Sequence, residues 1–143
     1  MRITLLGAGH IGQTIARLLA HSGDYDITVV DRSPAALAKL ANEPVQTRVA
    51  DTAAPQDLLA ALRGQDAVIN ALPYHLATLA ATQARDAGCH YFDLTEDVAA
   101  TRDIKALAEG AATAFMPQCG LAPGFIGFVA HHLAKSFDSL HEV

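Results

Sequence analysis

Apolar and polar positions alternate along the chain in two different ways. Short apolar runs typical of buried strands recur at 2–6, 26–30, 47–50, 67–71, 91–94 and 114–116. Between them, helical spacing predicts helices at 10–22, 55–63, 75–87 and 98–109, with another opening at Ser33 and a last one near Gly124. On the first helix, Ile11, Ile15, Leu18 and Leu19 are predicted to form one buried face. This strict alternation predicts an α/β fold with one doubly wound, six-stranded parallel sheet.

Right-handed crossovers between such strands favour the order 3-2-1-4-5-6, which is the Rossmann arrangement. The chain has 143 residues, of which 51% are hydrophobic. That is enough for one domain with a proper core and too little for two, so residues 1–143 are predicted to form a single dinucleotide-binding domain.

The charge balance and the cysteine count exclude several classes of function. The net charge of −5 disfavours nucleic-acid binding, which needs a basic face. No basic run suits a membrane surface, and no apolar stretch approaches the roughly 18 residues of a membrane span. The two cysteines form no disulfide framework and the histidines have no metal-ligand spacing, so we expect a cytoplasmic protein without a metal.

A glycine motif of the form G-x-G-x-x-G lies between the first strand and the first helix. Its residues are Gly7, Ala8, Gly9, His10, Ile11 and Gly12. The pattern alone is weak, but Asp31 ends the second strand about 20 residues further on, as the dinucleotide fingerprint requires. Gly9 would let the backbone approach a pyrophosphate, and Asp31 would accept hydrogen bonds from the adenosine ribose.

The residues after the second and third strands bear on the choice of dinucleotide. The Asp31 carboxylate repels a 2′-phosphate, so the sequence favours NAD. NADP remains the alternative, because the Arg32 guanidinium could reach that phosphate. Asp51 follows the third strand and could either contact the adenine edge or cap the helix that begins at Pro55.

Three segments of the second half carry a family resemblance. They are D-A-V-I-N-A-L-P at 66–73 with Tyr74 and His75, G-C-H-Y-F-D-L-T-E at 88–96, and C-G-L-A-P-G at 119–124. Together they resemble the saccharopine dehydrogenase family across essentially the whole chain. The resemblance implies the nicotinamide-binding domain of an oxidoreductase that reduces an imine or oxidises the C–N bond of an amino acid, using NAD or NADP. It also implies a substrate domain that is not in this chain, so we expect the chain alone to be inactive.

The same resemblance and the predicted topology together suggest how the crevice is lined. The loop of Ala71, Leu72 and Pro73 would lie along the pyrophosphate and the nicotinamide ribose. Candidates on the substrate side are His75, Thr95, Glu96, Gly120, Pro123 and Gly124.

Two of these candidates have alternative explanations, and the catalytic residue stays unassigned. His75 could donate a proton, or it could cap a helix or be solvated. Glu96 could bind a substrate ammonium, or it could lie in the first turn of the next helix, where the helix dipole favours a carboxylate. Gly120, Pro123 and Gly124 open the last helix, whose N-terminus could hold a carboxylate or the nicotinamide amide. For Cys119, a small buried thiol is favoured over a nucleophile, because nothing pairs it with a base.

The first half of the chain suggests an alternative function, and the last helix suggests a homodimer. The first half also resembles the nucleotide-sensing domains that regulate potassium uptake, which perform no catalysis. Those sensors have nothing like residues 117–124, so the oxidoreductase is favoured. The last helix carries Phe125, Phe128 and Val129, followed by Phe137, an apolar set that predicts a possible homodimer.

Overall fold

Six parallel strands form one sheet in the order β3-β2-β1-β4-β5-β6, as the sequence predicts. The structure is a computed structural model that describes residues 1–122 and 124–139. The strands are β1 (Arg2–Leu6), β2 (Asp26–Asp31), β3 (Gln46–Val49), β4 (Ala67–Asn70), β5 (His90–Asp93) and β6 (Phe115–Met116). The helices are α1 (His10–Ser22), α2 (Pro34–Leu37), α3 (Pro55–Leu62), α4 (Ala77–Ala87), α5 (Val98–Ala108) and α6 (Phe125–Ala134). Short 3₁₀ turns follow α2 at Ala38–Leu40 and precede α4 at Tyr74–Leu76.

Strand β1 lies in the middle of the sheet, and its neighbours set its register. Leu6 is level with Val30 on β2 and with Asn70 on β4. Because successive side chains of a strand point to opposite faces, Leu5 and Leu6 contribute to different halves of the core. Leu5 packs on the side of α1 and α2, whereas Leu6 packs on the side of α3, α4 and α5. The carboxyl ends of all six strands therefore meet along one edge of the sheet.

Helix α2 begins at Ser33 as the sequence predicts, and glycines end two other helices. The Ser33 hydroxyl caps α2 by accepting a hydrogen bond from the Ala36 N–H at 3.2 Å. Helices α1 and α4 end at Gly23 and Gly88, both in the left-handed conformation that favours glycine. Among the residues that the structure describes, no helix is long and apolar enough to cross a membrane.

The predicted buried face of α1 is wrong in part. Ile15 and Leu19 pack on the core, but Ile11 is 60% exposed and Leu18 is 70% exposed. The inward face runs instead through Gly12 and Ala16, which are buried. Gly12 must lie against the turn that precedes the helix, and this contact fixes the rotation of α1 about its axis. Ile11 and Leu18 then lie roughly 100° or more from that face, at 100° per residue.

Candidate dinucleotide-binding site

The turn between β1 and α1 has the geometry that the three glycines of the motif predict. Gly7 has φ +98°, and a Cβ there would lie 2.9 Å from the Ala71 carbonyl oxygen. A Cβ on Gly12 would overlap the carbonyl oxygen of Gly7. Both positions therefore require glycine for structural reasons alone.

Gly9 differs from the other two glycines, because its backbone does not need glycine. Its φ of −69° suits any residue, and a Cβ built there meets nothing within 4 Å. The side chain that glycine omits would project into open space next to the first turn of α1. This is the space that a pyrophosphate needs when it approaches the backbone closely.

The N-terminus of α1 is left without a side-chain cap in the described structure. Gly9 is its N-cap residue and the first turn contains no acidic residue. By contrast, α2 is capped by Ser33 and α5 by Asp97. The first N–H groups of a helix have no partner within the helix, and the helix dipole places partial positive charge there. The open space beside Gly9 and these free donors fit the phosphates of a dinucleotide.

Asp31 lies beside this turn and holds it in place. Its Oδ2 accepts a hydrogen bond from the Ala8 N–H at 2.7 Å, and its Oδ1 accepts one from the Ser33 N–H at 2.8 Å. A carboxylate can accept about four hydrogen bonds, so each oxygen keeps capacity for a ribose hydroxyl. Asp31 is thus both an anchor of the glycine turn and a candidate ligand of the adenosine ribose.

A cavity of about 230 Å³ lies next to Asp31 at the ends of β2 and β3. Its lining consists of Asp31, Arg32, Asp51, Thr52, Ala53, Leu72, Pro73, His75 and Leu76. The Asp51 carboxylate accepts the Ala53 N–H at 3.0 Å, whereas the N-cap residue of α3 is Ala54 and no side chain caps the helix. Asp51 therefore does not cap α3; it lines this cavity, where an adenine would lie.

His75 lies on the opposite side of the crevice from the one the sequence predicts. It belongs to the 3₁₀ turn before α4 and lines the cavity that contains Asp31 and Asp51. The preceding residue, Tyr74, lines the second cavity instead. This divergence within one short turn places His75 with Asp31 and Asp51, and away from Thr95 and Glu96.

The second cavity, of about 370 Å³, lies at the ends of β4 and β5. It is lined by Ile11, Asn70, Ala71, Leu72, Tyr74, Ala77, Asp93, Leu94, Thr95 and Glu96. Leu72 lines both cavities, so the loop after β4 separates them. A dinucleotide with its pyrophosphate at α1 and its adenosine at Asp31 would extend its other half into this second cavity.

Glu96 lies at the mouth of the second cavity and is exposed. It precedes Asp97, which is the N-cap of α5 and accepts the Ala100 N–H at 2.7 Å. The interpretation of Glu96 as a residue of the first helical turn is therefore wrong. Its neighbour Thr95 is buried, and the Thr95 hydroxyl accepts the Asp97 N–H at 3.2 Å.

The start of α6 does not offer the anion site that the sequence suggests. The Phe125 N–H donates to the Gly120 carbonyl at 3.0 Å, and the Ile126 N–H donates to the Leu121 carbonyl at 2.9 Å. The Gly127 N–H donates to the Gly124 carbonyl at 3.0 Å. These amides are already paired, in contrast to those of α1. Pro123, the third candidate of this segment, lies outside the described residues.

Cys119 follows β6 and is exposed, so the prediction of a buried thiol is wrong for this residue. Partial desolvation, and after it the Asp93 carboxylate, raises the pKa of the thiol above its usual value. Its Sγ is within 3.3 Å of the Met116 carbonyl oxygen. A raised pKa disfavours the thiolate, so the structure gives Cys119 no activation as a nucleophile.

Three buried polar residues lie near the second cavity, and the sequence does not predict them as site residues. Asn70 ends β4, Asp93 ends β5, and Tyr91 lies between them in the core. The sequence does contain a sign of them, because each is a polar residue within an apolar strand, and such a residue needs a buried hydrogen-bond partner. The partner could not be named without the pairing of β4 with β5.

Helix α6 presents an apolar surface to solvent. Its exposed residues include Phe125, Ile126, Phe128 and Leu133, with Phe137 beyond the helix. A groove of about 800 Å³ runs between this helix and the segment 116–120.

Comparison with known proteins identifies one matching family and several solved structures with a similar fold. Residues 3–116 match the family model described as saccharopine dehydrogenase NADP binding domain. An apo saccharopine dehydrogenase (L-Glu forming) from Saccharomyces cerevisiae has a TM-score of 0.83 and 24% identity, over 94% of this chain and 31% of that chain. An apo scyllo-inositol dehydrogenase from Lactobacillus casei has a TM-score of 0.73 and 18% identity, over 95% of this chain and 41% of that one.

A third solved structure was determined with a dinucleotide. The WlbA dehydrogenase from Chromobacterium violaceum, in complex with NADH and UDP-GlcNAcA, has a TM-score of 0.66 and 23% identity, over 82% of this chain and 34% of that chain. At these identities the likeness concerns the fold. The chain spans less than half the length of each of the three.

Proposed function

The chain belongs to the saccharopine dehydrogenase NADP-binding-domain family, and from that premise we propose that it is the cofactor-binding part of an oxidoreductase acting on the C–N bond of an amino acid or its imine. The domain binds NAD(P). A bound nicotinamide supplies or accepts a hydride. The observation that carries the proposal is the uncapped N-terminus of α1 between two cavities, one at Asp31 and one at Glu96.

Each part of the dinucleotide has a candidate partner in this chain. The free amides at the start of α1 would receive the pyrophosphate, with Gly9 leaving room for it. Asp31 would accept the adenosine ribose hydroxyls while its bonds to Ala8 and Ser33 hold it still. Leu72, which lines both cavities, would lie against the middle of the dinucleotide.

We propose NAD rather than NADP as the preferred dinucleotide. The adenosine cavity contains two carboxylates, Asp31 and Asp51, against one guanidinium, that of Arg32. These three side chains give the lining a net negative formal charge, and a 2′-phosphate would enter against it. NADP binding would need Arg32 to outweigh both carboxylates.

The substrate side of the proposal rests on Glu96. It lies at the second cavity as an exposed carboxylate, and the amino group of an amino acid is a cation at neutral pH. Glu96 would orient that ammonium towards the nicotinamide side of the crevice. The rival function, a nucleotide sensor, does not need a protein carboxylate that binds a substrate ammonium at this position. The family match over 3–116 also supports the oxidoreductase.

Fluorescence of bound NADH tests the proposed substrate class. L-amino acids are added to the NADH-saturated chain, in parallel with the matching 2-hydroxy acids, which lack the ammonium. We expect a saturable change with amino acids only, weakened about threefold or more in Glu96→Gln, because the ammonium then donates to a neutral amide oxygen instead of a carboxylate. An equal response to hydroxy acids, or no response to any amino acid, would contradict the assignment.

We also propose that two copies of the chain associate through α6. The helix contains no Asp, Glu, Lys or Arg between Phe125 and Ala134. An uncharged apolar face is complementary to itself, and a second copy brings the same face.

A further inference from the structure

We propose that Asn70, Tyr91 and Asp93 form a positioning network that sets the shape of the nicotinamide side of the crevice. The inference rests on the proposed dinucleotide site, since it concerns the second of the two cavities. Asn70 and Asp93 line that cavity, yet they are only 3% and 1% exposed. Their polar groups are directed mostly into the protein.

Tyr91 lies at the centre of the network and is completely buried. Its hydroxyl accepts a hydrogen bond from the Asn70 Nδ2 at 3.0 Å. Its single hydrogen is available to the Asp93 Oδ2 at 2.9 Å or to the Ala77 carbonyl at 3.1 Å. Burial, and after it the negative charge of Asp93, raises the pKa of Tyr91 far above its ordinary value, so the phenol stays protonated.

The outer atoms of the network hold backbone amides of three different loops. The Asn70 Oδ1 accepts the Leu72 N–H at 3.1 Å, in the loop after β4. The Asp93 Oδ1 accepts the Thr95 N–H at 3.0 Å, after β5, and the Gln118 N–H at 3.1 Å, after β6. One connected set of side chains therefore links the ends of three neighbouring strands.

The hydrogen bond from Gln118 to Asp93 holds the Gln118 backbone in an unfavourable conformation. It has φ +65°, and among the described residues it is the one non-glycine with a positive φ. Such a conformation costs free energy for a residue with a side chain and persists where the surroundings fix it. Here Asp93 fixes it from both sides, because the Cys119 N–H also donates to the Asp93 backbone carbonyl at 2.8 Å.

A positioning role differs from general structural support in what its loss should affect. If the network only stabilised the fold, its removal would change the affinity of both ligands by the same factor, and hardly at all while the chain stays folded. If it sets the three loops, its removal would weaken ligands that reach the second cavity and spare those that occupy the first. NADH and ADP-ribose make this comparison, because ADP-ribose lacks the nicotinamide.

Calorimetric titration of NADH and of ADP-ribose into the wild-type chain and Tyr91→Phe tests the inference. The variant keeps the ring and leaves the Asp93 Oδ2 and the Asn70 Nδ2 without the hydroxyl. We expect the dissociation constant of NADH to rise about three- to tenfold, the equivalent of one hydrogen bond, and that of ADP-ribose to change less than about twofold. Ile104→Val, a buried change in the same core with no polar contact, controls for lost stability and should leave both constants unchanged.

Every outcome decides between these alternatives. Equal losses for both ligands, or no loss for NADH, overturn the positioning role. If Tyr91→Phe does not fold, Asp93→Leu is the second variant; it keeps roughly the volume and removes every acceptor atom of this side chain, and the same difference between ligands is expected. Failure of ADP-ribose to bind the wild-type chain would refute the dinucleotide site itself, which is a separate result.

Discussion

At the scale of single residues, Asp31 has one task that the structure shows and a second that we propose. The spacing from the glycine motif indicated a ligand of the ribose. The structure adds hydrogen bonds from Ala8 and Ser33 to the same carboxylate, so its removal would also loosen the glycine turn. A test of cofactor preference must therefore change the charge and keep the shape.

Asp31→Asn removes the charge and keeps the shape, but its N–H₂ replaces one of the two oxygens that accept the Ala8 and Ser33 N–H groups, so the ratio of the two dissociation constants is the readout. We expect the wild-type chain to bind NADH about tenfold more tightly than NADPH, since roughly 1.4 kcal/mol of repulsion of the 2′-phosphate is enough. In Asp31→Asn the two constants should come within about threefold of each other. Calorimetry with both dinucleotides measures this, and Asp51→Asn shows whether the second carboxylate shares the effect. Tighter NADPH binding by the wild type would refute the preference.

Cys119 gives a second prediction at this scale, on pH dependence. Its pKa is raised, by partial desolvation first and by Asp93 second, so less thiolate is present at neutral pH than in an ordinary thiol. We expect slow alkylation by iodoacetamide at pH 7 and a rate that still rises with pH beyond 9, measured by mass spectrometry of the native chain. Cys119→Ser identifies the site, because Cys89 is buried. A rate that levels off below pH 8 would mean an activated thiol.

At the scale of elements, two helix N-termini that look alike in sequence differ in the structure. Both α1 and α6 follow a strand end and begin at glycine. Neither helix has a side-chain cap. The first amides of α6 are paired with the carbonyls of Gly120, Leu121 and Gly124, whereas in α1 pairing of the backbone amides begins at Gln13, which donates to the Gly9 carbonyl. A helix start predicts an anion site only where its donors remain free, and that depends on the chain before the helix.

The exposed apolar surface of α6 leads to a prediction about dimerisation of the chain. Phe128 is 77% exposed, so its replacement disturbs little within the chain. We expect the wild type to dimerise and Phe128→Glu to weaken the dimer about tenfold or more, because a charge would be buried at an apolar interface. Light scattering over a range of concentrations measures this, with Phe128→Leu as the apolar control. A wild type that stays monomeric at high concentration would exclude the interface.

At the scale of the whole molecule, the fold followed from patterns that are local in the chain. Strand and helix periods gave the six strands and their order, and the distance from Gly12 to Asp31 gave the dinucleotide fingerprint. The rotation of α1, which exposes Ile11 and Leu18, depends instead on contact between Gly12 and Gly7. Hydrophobicity alone could not reveal it, because the buried face is made partly of glycine and alanine.

The parts of the candidate site that the sequence did not reveal arise from pairing between distant segments. Asn70 and Asp93 stand opposite each other only because β4 pairs with β5. Tyr74 and His75 are adjacent in the 3₁₀ turn before α4, yet they line different cavities. Such details follow from three-dimensional packing, whereas residue spacing constrains only what lies within one element or turn.

The central claim is that the start of α1 receives the phosphates of a dinucleotide, and titration of NADH into Gly9→Val tests it most directly. The backbone of Gly9 accepts any residue and its Cβ position is empty, so the variant should fold with an unchanged circular dichroism spectrum. Gly127→Val is the matched control, since a Cβ at Gly127 also meets nothing within 4 Å and lies on α6. We predict that Gly9→Val loses NADH binding by about a hundredfold or more, as the side chain occupies the place of the pyrophosphate, and that Gly127→Val binds as the wild type does. Retained NADH affinity in a folded Gly9→Val chain would contradict the account.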